Sequence, residues 1–196
     1  MKRILLAFTA VGACVALAGC TGDTPAAPAP TVTVTTSPTL PSADPQLVTW
    51  LDGFCGAVHG YLKRSNAYVT AGPATQTLSM GEAQLDTSKD LGQVADNAGQ
   101  VIDELKALPA GPQPQTETVK KSFLDKYTAV RDRATQAKAK LDAAKRGNEK
   151  ALNEANDAMT GLQQDVSGLY DATKPFGTDG QYLVAAAAAP NCTSVS

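Results

Sequence analysis

Four stretches of the chain carry apolar residues at intervals of three and four, the spacing of one helical face. In the first, Leu47, Trp50, Leu51, Phe54, Val58, Tyr61 and Leu62 share a face. Asp44-Pro45 ahead of it reads as an N-cap followed by proline at the first helical position. This spacing predicts a helix to about Tyr68, stopped by Ala71-Gly72-Pro73. A second helix starts between Gly81 and Ser88 and carries Leu91, Val94, Ala98, Val101, Ile102, Leu105 and Leu108. Pro109, Gly111, Pro112 and Pro114 end it. The third begins near Thr116, with Val119, Phe123, Tyr127, Val130, Ala134, Ala137, Leu141 and Ala144 on its stripe, and closes at Arg146-Gly147. Asn148 caps the fourth, where Leu152, Ala155, Met159, Leu162, Val166 and Leu169 form a seven-residue repeat. Tyr182–Ala189 is apolar and alanine-rich, and reads as a short docked helix.

Amphipathic helices joined mostly by short connections imply an all-α fold. The expected architecture is an antiparallel up-and-down four-helix bundle with a short Ala-rich C-terminal helix, over residues 46–196. Leu162 and Val101 sit mid-stripe and are expected in the core. The fourth helix is expected to finish beside the start of the first.

The first 45 residues have a different character. Lys2 and Arg3 precede an uncharged apolar run from Ile4 to Ala18. That run is shorter than the ~20 residues of a spanning helix, so it reads as the core of a secretory signal. It ends in Leu17-Ala18-Gly19-Cys20, which resembles the lipobox of bacterial lipoproteins. The resemblance covers residues 1–20 and implies cleavage before Cys20. Cys20 would then carry the lipid anchor, with residues 1–19 a lipoprotein signal peptide. Several acyl chains on one cysteine would hold the protein at the cell membrane, on its extracytoplasmic face. From Thr21 to Pro45, 19 of 25 residues are Thr, Pro, Ala or Ser. Residues 20–45 therefore read as a lipidated Cys and a disordered linker. The favoured reading of the linker is a passive stalk; it also resembles the Thr/Pro-rich stalks of mycobacterial lipoproteins, and that resemblance implies the rival reading, in which threonines such as Thr31 or Thr39 accept sugars. The combination of stalk, Ala-rich bundle and two cysteines looks like lipoproteins of actinobacteria. That likeness implies no particular activity.

Charge changes the picture only locally. The chain has 17 Lys+Arg against 19 Asp+Glu, which argues against a nucleic-acid binder. Residues 116–146 alone are net +5, while 86–108 are net −3 and 148–173 net −4. In an up-and-down bundle these signs alternate between neighbours, so the expectation is ion pairing within the fold. A cationic face for an anionic lipid or polymer is the rival reading.

Once Cys14 leaves with the signal and Cys20 is lipidated, two cysteines remain, Cys55 and Cys192. An exported, oxidising setting makes them a disulfide candidate. The 19 residues from Thr173 to Cys192 are long enough to return to the first helix. Pairing of Cys192 between two molecules is the alternative.

Candidates for chemistry are few. His59 is the single histidine and follows Cys55 by one turn. It is expected at the bundle surface, without a catalytic or metal role. Asp86 with Asp90, and Asp103 with Glu104, fit solvated helix faces. Gly53, Gly56 and Gly60 mark a face of the first helix that the Ala-rich tail is expected to approach. No cofactor motif, phosphate-binding glycine loop or nucleophile elbow is present. The expected function is a lipid-anchored, non-enzymatic binding or envelope-interaction domain with an envelope partner or ligand. A small-ligand or lipid carrier with a cavity in the bundle, left by Ala98, Ala134, Ala137 and Ala155, is the alternative. An enzyme would need a cleft with converging titratable groups.

Overall fold

The computed structural model describes residues 42–71 and 78–193. The expected signal peptide, the expected lipidation site Cys20 and the expected linker up to residue 41 lie outside the described residues, as do 72–77 and 194–196. The described chain is all-α, a helical bundle. Its helices are α1 (Pro45–Ala71), α2 (Met80–Ala107), α3 (Pro114–Ala143), α4 (Glu149–Ser167), α5 (Gly180–Ala188) and α6 (Pro190–Thr193). A 3₁₀ turn, Lys174–Phe176, lies between α4 and α5.

Local chemistry sets the boundaries. Asp44 Oδ1 accepts from the Gln46 N–H, so the expected cap is in place. Helix α2 starts at Met80, one residue before its expected window, because Ser79 and Glu82 form a reciprocal capping box. At α4, the Asn148 side chain accepts from the Ala151 N–H. Gly147 supplies a positive φ of 77° in the turn before it.

The core is one continuous cluster. Leu47, Leu51, Phe54 and Val58 of α1 meet Leu91, Val101 and Leu105 of α2, Phe123, Tyr127 and Leu141 of α3, and Leu162 and Val166 of α4. Val101 and Leu162 are buried as expected. Ala98 and Ala134, both fully buried, are part of this packing.

Helices α2 and α3 form the long central hairpin. Helix α1 runs along α2 through the Ser65–Asn97, Arg64–Glu104 and Tyr68–Asp90 contacts. Helix α4 packs on α3 and, less extensively, on α2. The expected closure of α1 against α4 is not made; contact between these two helices is at most marginal. Length is the cause. At ~1.5 Å per residue α3 spans about 45 Å and α4 only about 28 Å. Its last turn is level with Arg133, which pairs with Asp165. Helix α4 therefore stops well short of the start of α1. A tight turn follows, in which Asp171 Oδ1 accepts from the backbone N–H groups of Thr173 and Lys174. The chain then lays residues 174–193 against α1 and the N-terminal half of α3. This C-terminal strap takes the side of α1 that α4 was expected to take.

Candidate functional site

On α1, Asp52, Cys55 and His59 are separated by three and four residues, so they share one face. The strap covers that face. Cys55 and Cys192 are joined by a disulfide, with Cα atoms 5.0 Å apart and a sequence separation of 137. In a chain-entropy account, closing so long a loop contributes up to roughly 4–5 kcal/mol. On either side of the bridge, polar groups of Asn191 are matched. Asp52 accepts from the Asn191 backbone N–H at 2.7 Å and from its side-chain Nδ2 at 3.1 Å. His59 Nδ1 donates to the Asn191 carbonyl at 2.7 Å. An acceptor carbonyl fixes the proton on Nδ1.

His59 thus departs from its expected place. It is 4 % exposed, not a surface residue. Helical spacing put it at the edge of the α1 stripe, where α6 covers it. The three glycines of α1 have separate neighbours. Only Gly56 faces the strap, with a Cβ there meeting Asn191; Gly53 lies against Leu108, the residue that follows α2, and Gly60 clears space for the Arg64 guanidinium. The Ala-rich segment docks as expected through Tyr182, which is inside, while Leu183 is 52 % exposed.

Beyond the disulfide, an aromatic cluster fixes the strap, and the helical stripes did not reveal it. Trp50 stacks on Phe54 with ring centroids 5.2 Å apart, and Phe54 meets Phe123 edge-on at 5.1 Å. The strap inserts two rings of its own. Phe176 approaches Phe54 at 6.1 Å and Trp50 at 6.4 Å, and Tyr182 stacks on Phe176 at 4.7 Å. The Trp50 indole donates to the Pro109 carbonyl, and the Tyr182 hydroxyl donates to Gln113 Oε1 at 2.6 Å. Both ties reach the turn between α2 and α3. The signal for this cluster lay in composition: aromatics are 5 % of the chain, yet five of them meet here.

Two further tyrosines, Tyr61 and Tyr127, are buried in the core. Burial and the neighbouring Tyr170 push the Tyr61 phenol up to about 12. Burial pushes Tyr127 up as well. Both remain neutral protein-interior groups at ordinary pH.

The cationic third helix pairs mostly with itself. Lys120–Glu117, Lys121–Asp125, Arg131–Asp132 and Lys138–Asp142 all lie within α3, and Lys138 also donates to Ser88 of α2. Among the described residues, Arg133–Asp165 is the ion pair that links α3 to an acidic neighbour. Lys126 and Lys140, with the Asp165-paired Arg133 between them, are exposed on one face at seven-residue spacing. Beside them runs a surface groove of about 320 Å³ between α3 and α4, where Ala151, Ala155 and Ala158 face Ala137. Ala137 and Ala155 thus line a groove at the surface of the bundle.

The carboxylate pairs stay apart from any shared site. Asp86 bonds Lys89, Asp90 accepts from Tyr68, and Glu104 pairs with Arg64. Among the described residues no group of three His, Cys, Asp or Glu is placed to hold a metal ion, and no helix is long and apolar enough to cross a membrane. No family model, curated protein or solved structure matches the chain.

Proposed function

We propose that this chain is a lipid-anchored, extracytoplasmic helical module that works by binding and not by catalysis. The observation that carries the reading is the Cys55–Cys192 bridge, which ties the first helix of the domain to its last. Such bridges persist in oxidising compartments, outside the cytoplasm. That agrees with the signal-like segment ending in Leu17-Ala18-Gly19-Cys20. The one histidine and the one cysteine near it are both committed to holding the strap, which favours a structural role for each. The exposed row Lys126, Arg133 and Lys140 beside an alanine-floored groove supports an outward-facing binding surface. Ala98 and Ala134 are packed in the core while Ala137 and Ala155 line the surface groove, which favours docking over carriage of an enclosed ligand.

Mass spectrometry of the mature protein from membranes tests the anchor. The expected result is an N-terminal Cys20 carrying acyl groups, lost together with membrane retention in Cys20→Ala. An unmodified Cys20 in the mature chain overturns the localisation.

A further inference from the structure

The strap has almost no stability of its own. Helix α5 has nine residues and α6 four, both below the ~12–15 at which an isolated helix begins to persist in water. Its backbone is interrupted at Gly177, whose φ of +66° is a left-handed conformation suited to glycine. What holds it is a small set of anchors. Phe176 and Tyr182 are plugged into the aromatic cluster, and Ala185 and Ala189 are buried. Asn191 is clamped by Asp52 and His59, and Cys192 is bonded to Cys55. The covalent anchor is the last of these along the chain. Cutting it turns a closed loop into a free end and returns conformational entropy to some twenty residues.

We infer that the strap is a redox-controlled cover. With the disulfide formed it seals the aromatic face of α1 and α3; with the disulfide reduced it swings away about the Asp171–Thr173 turn, carrying Phe176 with it, and leaves that face open. The rest of the bundle does not need the strap for its secondary structure. Helices α2, α3 and α4 pack on one another, and α1 keeps its own contact with α2.

The chemistry is a thiol–disulfide exchange with a dithiol as the reductant. Cys55 is fully buried, whereas Cys192 is only partly so. One thiolate of the reductant attacks Cys192 Sγ, the Cys55–Cys192 bond breaks, and Cys55 leaves as a thiolate that takes a proton from solvent. The second thiol of the reductant then closes on its own mixed-disulfide sulfur and releases Cys192. The dithiol is oxidised to a cyclic disulfide, and the protein gains two electrons and two protons as two thiols.

Trp50 reports the outcome directly, because it is the single tryptophan and 2 % exposed under the strap. The full chain, in detergent, is titrated with dithiothreitol while tryptophan emission, acrylamide quenching and far-ultraviolet circular dichroism are followed together. The expected result is a red-shifted emission and several-fold stronger quenching on reduction, with most of the helical signal retained and both changes reversed on reoxidation. The Cys55→Ser/Cys192→Ser double variant should show the open signature without reductant. Limited proteolysis of reduced wild type should cut first between 177 and 180. Two outcomes overturn the inference: a Trp50 signal unchanged although both thiols are free, or loss of helicity in step with Trp50 exposure. The wild-type titration requires no variant to fold, so either result is decisive.

Discussion

The two ends of the α2–α3 hairpin are covered in different ways. At the end near the α2–α3 turn, α1 and the strap close over an aromatic core held by a disulfide between residues 137 apart in sequence. At the other end α4 closes over an aliphatic core, following α3 after a turn of a few residues. Polar groups also enter there. Gln84 is buried, donating to the Leu141 carbonyl and accepting from the Gly147 N–H. Ser88, buried beside it, donates to Asp142. One end is thus assembled from chain-distant parts and locked covalently. The other is assembled from neighbours and aligned by hydrogen bonds. A single continuous core can therefore contain regions with quite different sources of order.

Core truncations probe the contrast most strongly. Phe54→Ala removes the ring at the centre of the strap-end cluster and should cost ~3–5 kcal/mol, against ~2–5 kcal/mol for Leu162→Ala at the α4 end. Denaturant unfolding measures both. A Leu162→Ala variant clearly less stable than Phe54→Ala would reverse the ranking of the two ends. The next effect is alkaline. The unfolded Tyr61 phenol ionises near 10, while the folded one holds its proton to about 12. Its contribution is complete below pH 10 and is lost as pH rises through about 12, because the unfolded chain releases the proton first. Urea midpoints should therefore fall on going from about pH 9 to about pH 11, and Tyr61→Phe should lessen the fall.

Gln84→Ala acts at the α4 end alone. It strips the Gly147 N–H of its acceptor and the Leu141 carbonyl of one of two donors, the Ala144 N–H remaining, and should cost ~1–3 kcal/mol. Hydrogen exchange should rise at Gly147 and leave the strap protected; equal loosening of both ends would dissolve the distinction. The smallest effect is Ser79→Ala, which removes one side of the α2 capping box and should cost ~1 kcal/mol by thermal unfolding.

The two ends also differ in how far the chain announces them. The α4 end was legible because its signals are local. Asn148 caps where expected, and Leu152, Ala155, Leu162 and Val166 are all buried on the heptad stripe. Even the early start of α2 had a local signature, Ser79 three residues before Glu82. The strap end was legible only through its cysteines, where pairing followed from an even count and reach. The burial of His59, the clamp on Asn191 and the role of Phe176 depend on which segment lands on α1, and periodicity within α1 carries no trace of that. Charge misled in the opposite direction. Net charges of successive helices suggested pairing between them, whereas α3 places acids among its own cations at short spacing. A helix-level sum hides an arrangement that only individual positions reveal.

The bridge also decides how the domain bears load and damage. Residues 55 to 192 form a covalent ring that contains nearly all of the bundle. A pull exerted between the two chain termini can draw out only the segments outside the ring, and the force then runs through two sulfur atoms, bypassing α2, α3 and α4. In the same way, a single peptide-bond cut anywhere inside the ring leaves one molecule, with both pieces still joined. A nicked domain of this kind would run as two fragments on a gel only after reduction.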